Sequence, residues 1–161
     1  AVLSVVGERE VDRRRAVHSV VGREHAVIVE CQVVDERVVQ MVAENGADIY
    51  VRIHANGDDS HTVSGALTMC PTQNNPYVSA LYEESNRLSQ CILDAYCAAT
   101  GFSNKGIQYV DNMTGINWSE VPSIYIEMGF ITNPTEDRLL NDDAFQTKCA
   151  KGIADGIDAY F

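Results

Sequence analysis

The chain has 161 residues, of which 45% are hydrophobic and 22% charged, a composition typical of a globular protein with one sizeable core. Its formal net charge of −11 argues against nucleic acid as a partner, because binding a polyanion requires a basic surface. No apolar run approaches the roughly 20 residues of a membrane-spanning helix, so we also expect no membrane span.

The first forty residues differ from the rest of the chain, because valine is frequent there and acidic and basic residues nearly balance. Apolar spacing predicts three elements in this region, a helix at 9–21, a strand at 25–30 and a helix at 35–46. Asp35 is suited to cap the second helix and Gly46 to end it. No linker follows, so we expect one domain over residues 1–161, in which residues 1–32 are atypical.

Strand and helix patterns alternate through the remainder of the chain. The predicted elements are strands at 47–55, 63–70, 105–112 and 121–130, and helices at 77–100, after Asn133-Pro134 and at 142–161. This alternation predicts an α/β fold, a three-layer αβα sandwich in which helices flank a mostly parallel or mixed central sheet. In such folds, ligands bind at the carboxyl ends of the strands.

His54 stands near the end of one predicted strand and is followed by Ala-Asn-Gly. A buried histidine that is hydrogen-bonded to a neighbour is the alternative explanation for such a residue. The turn of small residues that follows, however, places the imidazole at the edge of the sheet, where metals and substrates bind. His54 is therefore a candidate metal ligand.

Glu127 follows the apolar run Ser-Ile-Tyr-Ile and precedes Met-Gly-Phe. A carboxylate after a buried run is costly unless it is paired or lies in a solvated cleft. A structural ion pair is one explanation, and a general base whose pKa is tuned by partial burial is the other. If the two strands are parallel neighbours, Glu127 and His54 share one edge of the sheet.

The five cysteines form no Cys-x-x-Cys pair, so a zinc knuckle is not predicted. We expect them to be mostly buried small apolar residues, with a long-range disulfide as the alternative in an exported protein.

Two segments carry a resemblance to a known family. GADIYVRIHANG and VPSIYIEMGFITNPTEDRLL are similar to the motifs of zinc-dependent N-acetylmuramoyl-L-alanine amidases of the amidase-3 family. That family has an Ile-His-Ala-Asn motif and a longer motif in which Glu-x-Gly-Phe is followed by Asn-Pro. Both occur here in the same order, and the likeness extends over residues 33–161.

The resemblance implies a zinc-dependent hydrolase that cleaves peptidoglycan at the amide between N-acetylmuramic acid and L-alanine of the stem peptide. It implies that His54 binds the zinc, that zinc activates a water, and that Glu127 is the general base. It also implies an extracellular location, in the cell wall or periplasm, and we expect a monomer. The residues expected to shape the turns beside the site are Asn56, Phe130, Asn133 and Pro134.

The family's zinc site has three protein ligands, and its Asp-Pro-Gly-His-Gly-Gly loop is not found in this sequence. The segment VVGEREVDRRRAV resembles the stretch that supplies a glutamate ligand, which places that ligand at Glu10, with Glu8 as the alternative. This alignment implies that the missing histidine and the family's first strand would precede residue 1. The candidate substitutes within the chain are His18, His25 and His61.

Three explanations of this gap remain open. In the first, residues are absent from the sequence and the zinc site is complete in the whole protein. In the second, the N-terminal region builds the site differently. Alternatively, the protein is a diverged member that binds peptidoglycan without cutting it. We favour the first, because His54 and Glu127 are both kept within full motifs. A zinc peptidase acting on free peptides is a further alternative, since the chemistry would be the same.

Overall fold

The computed structural model describes residues 26–30, 39, 42 and 46–161. Its five strands are β1 (Ala26–Glu30), β2 (Ile49–Asn56), β3 (Ala66–Pro71), β4 (Asn104–Val110) and β5 (Ser123–Phe130). They form one sheet in the order β1-β2-β5-β3-β4. Strands β1, β2 and β5 are parallel, β3 and β4 are parallel, and the two groups meet where β3 runs antiparallel to β5. The predicted mixed sheet is confirmed.

Helices lie on both faces of this sheet, as the predicted three-layer α/β sandwich requires. The helices are α1 (Tyr82–Thr100), α2 (Thr114–Asn117), α3 (Pro134–Leu140) and α4 (Asp143–Tyr160), with a 3-10 turn at Ser79–Leu81. The side chains of α1 and α4 form the main core together with one face of the sheet. On the opposite face of the sheet, Ile116 of α2 packs in one apolar cluster with Tyr125. The helical residue Val42 packs in another cluster with Tyr50. Val42 belongs to the predicted helix at 35–46, of which the structure describes only residues 39, 42 and 46.

The alternation of side chains along β2 and β5 separates an apolar face from a polar one. Ile49 and Val51 of β2, with Ile124 and Ile126 of β5, are completely buried against α1 and α4. Successive side chains of a strand point to opposite faces, so the residues between them line the other side of the sheet. The candidate site therefore lies on the face that is not covered by the main core.

Helices α1 and α4 pack closely because α4 has glycines at its contact points. A Cβ added to Gly156 would lie 2.5 Å from Cα of Ile92, and one added to Gly152 would lie 2.8 Å from Cα of Tyr96. Both neighbours are backbone atoms, which cannot move aside like the end of a flexible side chain. The two glycines thus allow α1 to lie against α4 and complete the core under the sheet.

Two predicted elements begin later than their sequence pattern indicates. The helix expected from residue 77 begins at Tyr82, because the Asn75 side chain accepts hydrogen bonds from N–H of Tyr77 and Val78 and holds them in a turn. The strand expected from residue 63 begins at Ala66. Gly65 has a φ of +105°, outside the strand region, and a Cβ there would lie 2.5 Å from the Ser103 carbonyl oxygen.

The four cysteines within the described residues are free thiols. Cys70 and Cys149 are buried, as expected, whereas Cys91 and Cys97 on α1 are half-buried. The fifth, Cys31, lies outside the described residues. A helix with the length and apolar character needed to cross a bilayer is not found in the part of the chain that the structure describes.

Candidate active site

The two residues singled out by the sequence lie opposite each other. Strands β2 and β5 are parallel neighbours, and their register pairs His54 with Glu127. Paired residues of parallel strands project to the same face, so the imidazole and the carboxylate occupy one side of the sheet. The register shifts immediately afterwards, between His54 and Asn56, so this is the last regular pair before the edge.

The next residue pair on the same face of the sheet lies two residues earlier on each strand and packs against His54. Arg52 is paired with Tyr125, and its Nη1 donates a 3.0 Å hydrogen bond to the Tyr125 hydroxyl. The Tyr125 ring lies 5.5 Å from the His54 ring, centroid to centroid, at an interplanar angle of 48°. Arg52 and Tyr125 are both buried. They form a floor of aromatic and guanidinium groups beneath the candidate site.

Helix α2 covers this floor at close range. A Cβ added to Gly115 would lie 2.2 Å from the Tyr125 hydroxyl oxygen and 3.6 Å from Arg52 Nη1. A glycine is therefore needed for α2 to reach the sheet. The sequence pattern does not predict this short helix, since four residues are too few to show a period.

His54 and Glu127 each keep a buried polar atom that no hydrogen bond satisfies. His54 Nε2 and Glu127 Oε2 have no partner among the described residues, although both atoms are shielded from solvent. Buried polar atoms are nearly always paired in folded proteins, so each such atom requires an explanation. A ligand held between the two side chains would supply one.

The pKa of His54 lies below its ordinary value. Burial of the imidazole is the largest cause, and the positive charge of Arg52 two residues away adds to it. Both effects disfavour the imidazolium form. His54 is therefore neutral at pH 7, which is the form in which an imidazole binds a metal.

The pKa of Glu127 is raised from 4.5 to about 7. The cause is desolvation, since the carboxylate is 7% exposed at the end of a buried strand. A carboxyl group that titrates near neutral pH both accepts and returns a proton readily, as a general acid–base catalyst must.

Hydrogen bonds to Thr132 hold the loop that follows β2 against the turn that follows β5. The Asp58 N–H donates to Thr132 Oγ1 at 3.1 Å, and Nδ1 of His61 is 2.7 Å from the Thr132 carbonyl oxygen, to which it donates. The side chain of Asn56 accepts from the next N–H, at Gly57, as its predicted role in the turn requires. These contacts fix the edge of the sheet beside the candidate site.

His61 does not complete a metal site with His54 and Glu127. No group of three or more His, Cys, Asp or Glu side chains suited to a metal ion occurs within residues 26–30, 39, 42 and 46–161. The other proposed ligands and substitutes lie outside the described residues, namely Glu10, Glu8, His18 and His25. The structure brings together the histidine and the glutamate of the two motifs.

Glu136 is a buried carboxylate beside the site that the sequence pattern did not identify. It is 5% exposed and accepts hydrogen bonds from N–H of Gly65 and Phe130. Helix α3 has Asn133 at its N-cap and begins with Pro134, next to the position where the sequence predicted a turn and a helix. The spacing Asn-x-x-Glu resembles a capping box and was the available clue to a structural role for Glu136.

Comparison with known families agrees with the geometry. Residues 15–159 match the amidase-3 family, described as N-acetylmuramoyl-L-alanine amidase. The chain belongs to this family. The match includes both strands of the candidate site and the α/β core around them, and amidase-3 membership was also the expectation from the two sequence motifs.

Two curated proteins of Bacillus subtilis are similar to this chain. The uncharacterized protein YqiI of Bacillus subtilis is 33% identical over 129 residues, which are 79% of this chain and 57% of YqiI. The N-acetylmuramoyl-L-alanine amidase LytC of B. subtilis is 30% identical over 125 residues, 76% of this chain and 23% of LytC. The chain thus spans little more than half of one curated relative and under a quarter of the other.

The fold is also that of a solved amidase. The catalytic domain of CwlV, an N-acetylmuramoyl-L-alanine amidase from Bacillus (Paenibacillus) polymyxa var. colistinus, superposes with a TM-score of 0.67. The two are 28% identical, and the match covers 81% of this chain and 66% of the CwlV chain. The α/β fold expected from the alternating elements is therefore shared with a member of the same family.

Proposed function

We propose that this chain is a zinc-dependent N-acetylmuramoyl-L-alanine amidase. It would hydrolyse the amide bond between the lactyl group of N-acetylmuramic acid and L-alanine in peptidoglycan. The observation that carries the proposal is the in-register pair of His54 and Glu127, with Nε2 and Oε2 buried and unsatisfied by the described residues. The names of LytC and CwlV, both N-acetylmuramoyl-L-alanine amidases, support the choice of substrate.

His54 fits a zinc ligand by its chemistry. Its imidazole is neutral at pH 7, and its Nε2 has no described hydrogen-bond partner. Glu10 is the proposed second protein ligand, on the strength of its sequence context alone. When bound, zinc supplies a Lewis acid that polarises the amide carbonyl and lowers the pKa of a coordinated water.

Glu127 would move the proton. Its Oε2 accepts a proton from the attacking water and then delivers that proton to the nitrogen of the departing L-alanine amine. A carboxyl with a pKa of about 7 is suited to both steps, because neither protonation state is strongly favoured at neutral pH. The burial that raises the pKa also keeps bulk water from competing for the proton.

The identity and arrangement of the zinc ligands other than His54 are also part of the proposal. We propose that residues 1–161 form one catalytic domain and that the protein acts as a monomer in the cell wall or periplasm, where peptidoglycan lies. Two other functions use the same residues, namely binding of peptidoglycan without cleavage and hydrolysis of free peptides.

Product analysis on defined substrates tests the proposal. The protein is incubated with a disaccharide-peptide and with the same stem peptide lacking sugar, each with added zinc or with a chelator, and the products are identified by mass spectrometry. We expect a free stem peptide from the disaccharide-peptide only, and no product with chelator. Cleavage within the sugar-free peptide would favour a peptidase, and retention of intact substrate with measurable binding would favour a wall-binding module.

A further inference from the structure

Glu136 lies in the first turn of α3 and joins two separate parts of the sheet. Its Oε1 accepts a 2.7 Å hydrogen bond from N–H of Gly65, and its Oε2 accepts one of 2.7 Å from N–H of Phe130. The carboxylate is buried, so these two backbone donors replace the water that it has lost. Hydrogen bonds to a charged acceptor are short and strong, in keeping with these distances.

The two donors lie on opposite sides of the antiparallel junction that contains Glu127. Gly65 directly precedes β3, and Phe130 is the last residue of β5. The register pairs Leu67, two residues after Gly65, with Glu127, so both donors lie just beyond this pair at one end of the junction. The distance along the chain from Glu127 to Phe130 is three residues, so a constraint on Phe130 limits how the end of β5 can move.

The residues around this bridge leave it little freedom. A Cβ added to Gly129 would lie 2.8 Å from Phe102 Cε2 and 3.1 Å from Glu136 Oε2, so the ring and the carboxylate would have to shift to make room for it. Asn133 holds the start of α3 in place, because its side chain accepts from N–H of Glu136 and donates to the Val63 carbonyl. The helix start, the end of β5 and the entry to β3 are thus bonded to one another.

We propose that Glu136 is a positioning residue, whose carboxylate bridge from Gly65 to Phe130 fixes the end of β5 and thereby the place of the Glu127 carboxylate. Glu136 itself touches no reacting atom. Its effect on hydrolysis rests on the proposed function, whereas its effect on the position of Glu127 does not.

Two variants and one control test the bridge in the full chain. Glu136→Gln places an amide NH2 against one of the two N–H donors and removes one hydrogen bond, while Glu136→Asp is too short to reach both. Glu120→Gln removes the same charge from an exposed position. The measurements are amide hydrogen exchange at Gly65 and Phe130, the 13C chemical shift of the Glu127 carboxyl, zinc content, and kcat and KM on a disaccharide-peptide.

For Glu136→Gln we expect exchange at Gly65 and Phe130 to accelerate and the Glu127 carboxyl resonance to shift. The kcat should fall about tenfold or more with KM nearly unchanged and zinc retained, because a small displacement of a catalytic group is costly. The exchange rates, the Glu127 resonance and the kcat of Glu136→Asp should lie between those of Glu136→Gln and the wild type. The same quantities for Glu120→Gln should match the wild type. If Glu136→Gln does not fold, the same comparison is made with Glu136→Asp.

The proposal is overturned if exchange accelerates while the Glu127 resonance and kcat stay at their wild-type values, since Glu136 would then be structural only. Unchanged exchange at both amides would also overturn it. If the wild type itself releases no stem peptide, the proposed function fails, and the shift or constancy of the Glu127 resonance alone decides the role of Glu136.

Discussion

Arg52 donates a hydrogen bond from Nη1 to the Tyr125 hydroxyl at 3.0 Å, in the middle of a sheet where both side chains are buried. Burying a guanidinium is costly unless it is paired, so the hydrogen bond to the Tyr125 hydroxyl offsets part of the cost of burying Arg52. The same tyrosine supports the imidazole of His54 through its ring. The candidate site thus rests on a polar pair that is also part of the fold.

Tyr125→Phe isolates the hydroxyl of this pair. The substitution keeps the ring beside His54 and removes one acceptor from Arg52. We expect the free energy of unfolding to fall by about 1–2 kcal/mol, the usual effect of losing a buried hydrogen bond to a charged group. Urea denaturation measures it. An unchanged midpoint would show that the hydroxyl contributes nothing to the stability of the floor.

Gly115→Ala tests the close approach of α2 to the same hydroxyl. Its Cβ would lie 2.2 Å from the Tyr125 oxygen, so helix and sheet must separate, and we expect a loss of about 1–3 kcal/mol in the free energy of unfolding. Gly57→Ala is the matched control, because its nearest neighbour is Thr132 at an ordinary 3.6 Å.

The double variant Gly115→Ala/Tyr125→Phe makes this test specific. Removing the hydroxyl also removes the atom that the new Cβ would strike, so the two losses should be clearly less than additive. Strict additivity would mean that α2 is displaced for another reason.

Glu127 should make the metal-free protein less stable as the pH rises. Burial raises its pKa from 4.5 to about 7 in the folded chain, so folding favours the protonated carboxyl. That contribution is fully present below the unfolded-state pKa and is lost as the pH rises through about 7. We expect Glu127→Gln to match the wild type near pH 4 and to be more stable by roughly 1–3 kcal/mol at pH 8.

Chelator-treated protein is used for this comparison, with unfolding followed across the pH range. Glu120→Gln, which removes a carboxylate from an exposed position, is the control. A Glu127→Gln variant that stays parallel to the wild type at every pH would contradict the burial of an ionisable carboxyl at this site.

The net charge of −11 leads to a prediction about how the proposed substrate, the cell wall, would be bound. Attraction between opposite charges cannot drive an acidic protein onto an anionic polymer, so added salt should not release it. We expect binding to purified walls in a sedimentation assay to stay constant or increase between low and high salt. Binding by this domain that weakens steeply with salt would contradict this view.

The sequence predicted that His54 and Glu127 share one edge of the sheet on the condition that their strands are parallel neighbours, and the structure meets that condition. Each stands near the end of a strand whose alternation is visible locally, and alternating strands and helices imply a shared sheet edge. The same logic predicted a mixed α/β sheet. It also predicted a helix after Asn133-Pro134, and α3 begins at Pro134.

Glu136 and α2 could not be found this way, because their roles depend on residues far apart in the chain. Glu136 accepts from Gly65, 71 positions away, and α2 is identified by its contact with Tyr125 and Arg52 rather than by any period. The partner of Arg52 could have been sought from the sequence, since a charged residue in a strand with buried neighbours needs one. Periodicity alone does not identify that partner as Tyr125.

The role of Glu127 is the central claim, and one comparison tests it most directly. Glu127→Gln and Glu120→Gln are assayed beside the wild type for release of stem peptide from a disaccharide-peptide, with zinc content measured on each sample. We predict that Glu127→Gln retains its zinc and loses at least about 100-fold in kcat, the scale of a lost general base, while Glu120→Gln behaves as the wild type. Hydrolysis by Glu127→Gln at the wild-type rate would contradict the assignment.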